Sequence, residues 1–277
     1  MVNFRRLFGG LLIGLLLAGC NAQATNASKT VSFESGGLVL HGLLYRPEGA
    51  GPFPVVLYNH GSAPGTLNNA AFESLGPMFV AHGWAFFAPY RRGQGLSSDA
   101  GPYIEDEIAA ARASGGETRA VDTMVRLLNT DHLQDQMAAL AWLKNQPFVS
   151  PTRIAAMGNS FGGIETVLGA AQGGYCAAVD ASGGAESWDH APALRDLMLN
   201  AVRHSKAPIL FFQAANDYSI VPSETLYAAM RHAHKRAAIR IYPPYGSSTE
   251  EGHTFPYRGG EVWKDDVFRF LDANCKG

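Results

Sequence analysis

A chain of 277 residues, with 47% apolar and 17% charged side chains, has the length of one large domain or two small ones and is too apolar to remain disordered. Its formal net charge of −2 argues against a duplex or phosphate-rich partner, which favours an excess of Lys and Arg, so nucleic acid is not an expected partner. The 31 glycines carry no Gly-X-Y period, which excludes a collagen-like fibre.

The first element is a leader. Arg5 and Arg6 precede an apolar run from Leu7 to Gly19. A bilayer-spanning helix needs about 20 apolar residues, so residues 1–19 read as a secretory signal peptide rather than an anchor. The run ends Leu17-Ala18-Gly19-Cys20. That ending resembles the lipobox of bacterial lipoproteins, in which cleavage leaves Cys20 as the lipid-bearing first residue; the alternative is an ordinary signal with an incidental Cys. Cleavage there leaves 258 residues with 20 Lys and Arg against 24 acids, a charge of −4. Residues 20–30 then form the lipidated Cys and a polar tether, a flexible coil spanning roughly 15–20 Å. The resemblance implies a protein lipid-anchored in the bacterial cell envelope. Asn21, where an Asp retains lipoproteins in the inner membrane, points to the periplasmic face of the outer membrane.

Export places the chain in an oxidising compartment. Cys176 and Cys275 are the two cysteines left. They either bridge, closing a loop of about 100 residues, or remain separate, with Cys176 buried beside a strand. Neither lies in a Cys-x-x-Cys, so redox catalysis is not expected.

Beyond the tether, apolar runs alternate with helical periodicity. Val31–Glu34 and Leu38–Tyr45 flank Ser35-Gly36-Gly37 and predict a hairpin. Val55–Tyr58, Trp84–Ala88, Arg153–Met157, Ala177–Asp180, Pro208–Phe212 and Ala238–Tyr242 are compact enough for buried central strands. Val121, Met124, Val125 and Leu128 fall at helical spacing, as do Leu133, Met137 and Leu140, then Leu194, Leu197, Met198 and Ala201, and finally Val262–Leu271. Strands alternating with helices predict an α/β fold with a mostly parallel sheet covered on both faces. No linker interrupts residues 31–277, which are expected to form one domain.

The chemistry begins at Gly158-Asn159-Ser160-Phe161-Gly162, a Gly-x-Ser-x-Gly directly after a strand and opening a helix. That context marks a nucleophile elbow, a sharp turn that exposes the serine hydroxyl. A hydroxyl needs a base, and the base an orienting acid, following in that chain order. Asp217 lies just past the strand at Pro208–Phe212, and His253 in a loop between the last strand and the last helix. Asp180 is the alternative acid; Asp189, His190 and Asp196 are rivals in a cap segment. His232 and His234 read as helix-surface residues. No His-Glu-x-x-His or Ser-x-x-Lys is present, and Gly93-Gln94-Gly95 lacks the third glycine of a dinucleotide site. No metal and no cofactor is expected.

With Asn59-His60-Gly61-Ser62, Pro89-Tyr90-Arg91-Arg92-Gly93-Gln94-Gly95, the elbow, Asn216-Asp217 and Gly252-His253 in place, the chain resembles an α/β-hydrolase of the dienelactone-hydrolase-like and prolyl-oligopeptidase-like branch over nearly all of residues 31–277. The resemblance implies the α/β-hydrolase fold, an eight-stranded sheet with an antiparallel N-terminal hairpin. It also implies an oxyanion hole built from the backbone N–H of Phe161 and a second donor in the His-Gly loop, from Ser62 or Gly61. Dienelactone hydrolases proper carry Cys where this chain has Ser160, which favours a serine esterase or peptidase. Arg91 and Arg92 either bind a substrate carboxylate or fix their loop. Segments 101–130, with Gly115-Gly116 as a hinge, and 183–206 are expected to cap the pocket.

The expected activity is acyl transfer to water from a small ester or lactone substrate, with Ser160 as nucleophile, His253 as base and Asp217 as orienting acid. Two other readings stand beside it: a serine peptidase of prolyl-oligopeptidase type, and a non-catalytic binding lipoprotein.

Overall fold

The computed structural model describes residues 27–65 and 67–277. The signal segment 1–19, Cys20 and the tether up to Asn26 lie outside the described residues. In chain order the elements are β1 (Lys29–Ser35), β2 (Leu38–Tyr45), β3 (Phe53–Asn59), α1 (Asn69–Ala81), β4 (Ala85–Pro89), α2 (Ile104–Asn129), α3 (Asp131–Lys144), β5 (Val149–Asn159), α4 (Phe161–Gln172), β6 (Ala178–Ala181), α5 (Pro192–His204), β7 (Ile209–Ala214), α6 (Val221–His232), β8 (Ala237–Tyr242), α7 (Thr249–Arg258) and α8 (Gly260–Asn274). A short 3₁₀ turn, Gly95–Ser97, follows β4.

One sheet holds all eight strands in the order β1-β2-β4-β3-β5-β6-β7-β8. β2 runs antiparallel to both β1 and β4, and the rest of the sheet is parallel. The hairpin turns at Gly36 and Gly37, with φ of +56° and +82°, the pair of left-handed residues that a two-residue turn matched to strand twist requires. β1 starts at Lys29, two residues inside the predicted tether, because Lys29 and Thr30 pair with Leu44 and Leu43.

Strand alternation sorts the core into two layers. Val55 and Leu57 face one side, packing with Ile104 and Leu128 of α2, Leu140 of α3, Val167 of α4 and Met198 of α5. Val56 and Tyr58 face the other, with Phe72 and Phe79 of α1, Phe255 of α7 and Trp263 and Val267 of α8. Complete burial of each such side chain contributes about 1.5–3 kcal/mol. The apolar strands therefore fix a sheet whose carboxyl ends carry the β3, β5, β6 and β7 loops on one rim.

Segment 183–206 divides where a single cap was expected. Residues 184–191 cross that rim, but α5 is a crossover helix that buries Leu194, Met198 and Val202 against the first layer. His234 is not on a helix; α6 ends at His232, and His234 takes φ +55° in the following turn.

Cys176, just before β6, is disulfide-bonded to Cys275 at the end of α8, with Cα atoms 5.0 Å apart. The bridge holds the terminal helix to the second layer across a sequence separation of 99. Because a loop of this length restricts the unfolded chain strongly, Cys275→Ser is expected to lower unfolding free energy by about 3–5 kcal/mol. Urea denaturation of the variant against the oxidised parent measures it, and an unchanged midpoint contradicts it.

Candidate active site

The site is organised by the turn from β5 into α4. Ser160 has φ +56° and ψ −121°, a conformation that costs a non-glycine residue on the order of 1–3 kcal/mol. Local bonds hold it there. The Ser160 N–H donates to Ala181 O at 2.9 Å, and Ser160 O accepts from the N–H groups of Gly163 and Ile164 at 2.9 and 3.3 Å. The flanking glycines serve close approach. A Cβ on Gly158 would lie 2.2 Å from Gly162 O, and one on Gly162 would lie 2.0 Å from Asn59 O. β3 is clamped alongside: Tyr58 donates to Asn159 Oδ1 at 2.5 Å, and Asn59 Nδ2 to Thr166 Oγ1 at 2.9 Å.

His253 reaches Ser160 from across the rim. Its Nε2 lies 2.9 Å from Ser160 Oγ, and its Nδ1 2.7 Å from Asp217 Oδ1. A carboxylate can only accept, so Nδ1 carries the proton and Nε2 presents a lone pair to the hydroxyl. Asp217 also accepts from the Tyr218 N–H at 2.7 Å and from Gln213 Nε2 at 3.2 Å, and its side chain is fully buried. Gln213 is oriented in turn by the Ser223 hydroxyl at 2.5 Å. The structure thus brings Ser160, His253 and Asp217 into one hydrogen-bonded line.

His253 sits in helix α7, not in a loop. Ser248 and Glu251 form a capping box at its start, and the Ser-x-x-Glu at 248–251 is the sequence signal that marks it. Asn216 fastens this helix to the β7 loop, donating to Tyr245 O at 3.0 Å and Ser248 O at 2.8 Å. Gly252 permits the contact, since a Cβ there would lie 2.7 Å from Asn216 O.

Asp180, the alternative acid, is not in this line. It is fully buried behind the elbow, where Oδ1 accepts the Gly183 N–H at 2.9 Å and Oδ2 has no partner. Burial pushes its carboxyl up to about 7. Asp189 and Asp196 are exposed. Gln213, Tyr218 and Glu165 were not anticipated. Glu165 had a signal, a lone charge in the apolar stretch Phe161–Gln172.

Both arginines are committed internally. Arg91 pairs with Glu165, and Arg92 bonds Asp135 Oδ2 and Oδ1 at 2.9 and 2.7 Å. Their loop-fixing role is the one the geometry displays. His60 is buried, and burial together with Arg91 holds its imidazole well below the usual histidine range, so it is neutral.

A cavity of about 330 Å³ opens beside Ser160. Ser62 and Phe161 line it next to the hydroxyl; Ile108, Val121 and Met124 of α2 form an apolar wall, and Ala185 and Ala191 another. α2 is kinked at Gly115-Gly116, where Gly116 has φ +74°, and Arg112 spans the kink to Glu117 at 2.7 Å. Two further carboxylates, Glu105 and Glu186, face the cavity. Burial, reinforced by Glu186, raises the Glu105 carboxyl. Among the described residues, neither forms an ion pair, and no cluster of His, Cys, Asp and Glu could hold a metal ion.

An eight-stranded sheet with an antiparallel entry hairpin and a serine on a strained strand-to-helix turn defines an α/β-hydrolase. The chain belongs to the dienelactone hydrolase family, whose profile matches residues 40–264. No curated protein sequence matches it. Among solved structures it is similar to the acylaminoacyl peptidase of Pyrococcus horikoshii, at 17% identity and a TM-score of 0.63 over 91% of this chain and 42% of that one. It spans less than half of that enzyme. It is also similar to a candidate dienelactone hydrolase from Klebsiella pneumoniae, at 22% identity and 0.62 over 89% and 98% of the two chains. An esterase of Pyrococcus furiosus matches at 17% identity and 0.64 over 100% and 98%. At these identities the shared property is the fold.

The two acids are expected to separate in their effects. Asp217→Asn should lower kcat by about 10³–10⁴-fold through the wrong imidazole tautomer, while Asp180→Asn leaves it within threefold. Asp180 contributes to stability differently. Its folded pKa lies above the unfolded value, so its contribution is complete below pH 4 and is lost as pH rises through about 7. Thermal unfolding between pH 4 and 8 should therefore show a smaller decline for Asp180→Asn than for the parent.

Proposed function

We propose that the protein is a serine carboxylic-ester hydrolase that works through an acyl-enzyme. The observation that carries the reading is the Ser160–His253–Asp217 line, at 2.9 and 2.7 Å, opening on a single cavity of about 330 Å³. His253 takes the Ser160 proton as Oγ attacks the substrate carbonyl, and Asp217 stabilises the imidazolium. The backbone N–H groups of Phe161 and Ser62 receive the oxyanion, with the N-terminus of α4 adding partial positive charge. The alcohol leaves with the proton from His253. Water then attacks the acyl-enzyme by the same path and releases the acid.

Shape and charge support a small acyl group without a carboxylate. The cavity, about 330 Å³ and walled by α2 and residues 184–191, suits one short acyl chain better than an extended peptide. Arg91 and Arg92 are paired inside the protein, Arg112 on the cavity wall is paired with Glu117, and Glu105 and Glu186 add carboxylates without an ion pair among the described residues, a balance that disfavours an anionic acyl chain. The test is a panel of 4-nitrophenyl esters and aminoacyl anilides. The parent should hydrolyse the butyrate ester at least tenfold more efficiently than the mono-ester of glutaric acid and leave anilides nearly untouched. Ser160→Ala should lose both activity and fluorophosphonate labelling. A Ser160→Ala protein with the parent's rate refutes the reading, and preferential anilide cleavage replaces it with the peptidase.

We further propose that the enzyme is lipid-anchored in the bacterial envelope through Cys20. The Leu17-Ala18-Gly19-Cys20 sequence supports this, as does the Cys176–Cys275 bridge, which suits an exported protein. Labelled palmitate should enter the parent and not Cys20→Ala, which should move from the membrane to the soluble fraction; equal labelling of the two contradicts it.

A further inference from the structure

We propose that Arg91 is a positioning residue for the oxyanion hole, pinning the carbonyl of Gly61 and thereby aiming and polarising the Ser62 N–H. The inference rests on the reading of Ser160 as nucleophile and of Ser62 and Phe161 as donors. The Gly61 carbonyl and the Ser62 N–H belong to one peptide unit. In a planar trans peptide they point in opposite directions, so whatever fixes the oxygen fixes the donor.

The Gly61 oxygen is held from inside the protein. It accepts from Arg91 Nη2 at 2.6 Å and from His60 Nδ1 at 2.8 Å. His60 Nε2 accepts the Arg91 backbone N–H at 3.3 Å, which assigns the proton to Nδ1 and makes the imidazole a donor to Gly61. With the carbonyl drawn into the interior, the amide's N–H is turned outward to the cavity that Ser62 lines with Ser160 and Phe161.

Arg91 braces the rest of the loop as well. Its Nη1 donates to His60 O at 2.8 Å. Its Nε donates to Gln94 Oε1 at 3.0 Å, and Gln94 Nε2 donates on to Ser62 O at 3.2 Å and Ala63 O at 2.9 Å. The Tyr103 hydroxyl closes the frame on Ser62 O at 2.5 Å. Four consecutive carbonyls, from His60 to Ala63, are thus held directly by Arg91 or through Gln94.

The same guanidinium touches the other donor segment. It lies over the Phe161 ring, 4.9 Å from the centroid, and pairs with Glu165 one turn along α4. One planar cation therefore sets the spacing between the loop after β3 and the start of α4. Its charge-assisted bond to the Gly61 oxygen also polarises that amide, strengthening the N–H on its far side. Lysine has one ammonium in place of this fork and can serve only some of these acceptors.

The test compares the parent, Arg91→Lys and the double variant Arg91→Met/Glu165→Met on 4-nitrophenyl butyrate. The double variant removes both buried charges, so none is stranded. Active sites are counted by fluorophosphonate titration to completion. Arg91→Lys should lose about 10-fold in kcat per active site, and the double variant up to the 10²–10³-fold expected for loss of one oxyanion donor. KM should change less than threefold. The inhibition constant of an alkyl trifluoromethyl ketone, which presents a tetrahedral oxyanion, should rise in proportion to the loss in kcat/KM across the series. A folded double variant with the parent's kcat overturns the proposal. So does an Arg91→Lys loss confined to KM or to the fraction of active sites; if the double variant does not fold, Arg91→Lys decides alone. A parent that hydrolyses no ester overturns the underlying reading instead.

Discussion

The close approach of β3, β5 and α4 at the elbow is the constraint on which the site depends. Ser160 occupies a left-handed conformation that its side chain disfavours, and it stays there because the chain on either side has no room for another path. Gly158 and Gly162 lie with their Cα atoms against backbone, and the bonds of Tyr58, Asn59 and Thr166 keep the two parallel strands and the helix in register. The strain is local, of order 1–3 kcal/mol, and is offset by the large apolar layers on both faces of the sheet. The first turn of α4 is closed onto Ser160 itself, whose carbonyl accepts from the N–H groups of Gly163 and Ile164.

A second organising feature is the buried polar layer beneath the rim. Arg91 with Glu165 and Arg92 with Asp135 are charge pairs removed from water, flanked by His60 and His132, both kept neutral by burial and the nearby arginines. Burying such pairs is costly for stability, but here they hold loops together. Arg91 alone bonds to the carbonyls of His60 and Gly61 and to the side chains of Gln94 and Glu165. Arg91 and Arg92 are therefore turned inward, whereas Glu105 and Glu186 face the cavity, as does the Arg112–Glu117 pair.

Much of the fold was legible because its signals are local. Every central strand announced itself as a short apolar run, and the Gly36-Gly37 hairpin as two residues able to take positive φ. Ser160 was legible because the elbow needs small residues at fixed offsets. Other features were hidden where the deciding interaction is distant. α7 carries Pro256 and few apolar residues, so its periodicity is weak, and the Ser248–Glu251 capping box is its one local signal. Segment 183–206 read as one cap, yet α5 buries one face on α4 and leaves only residues 184–191 at the cavity. β1 began early because Lys29 and Thr30 gain ladder bonds from β2, which no property of those two residues reveals.

The sequence by itself determined the alternation of strand and helix, the parallel sheet and the elbow serine Ser160, with His253 after it and two candidate acids between, since apolar periodicity and glycine spacing act within a few residues of the chain. Only the tertiary structure decided between Asp217 and Asp180 as the acid beside His253: both end apolar strands, but the β7 loop faces α7 across the rim, and Asp180 lies beneath the elbow against Gly183. It likewise decided that Cys176 and Cys275 meet, and that Arg91 serves the loop rather than the pocket. Each of these is a contact between residues far apart in sequence, so its energy depends on where the packed layers place the groups and not on the residue types alone.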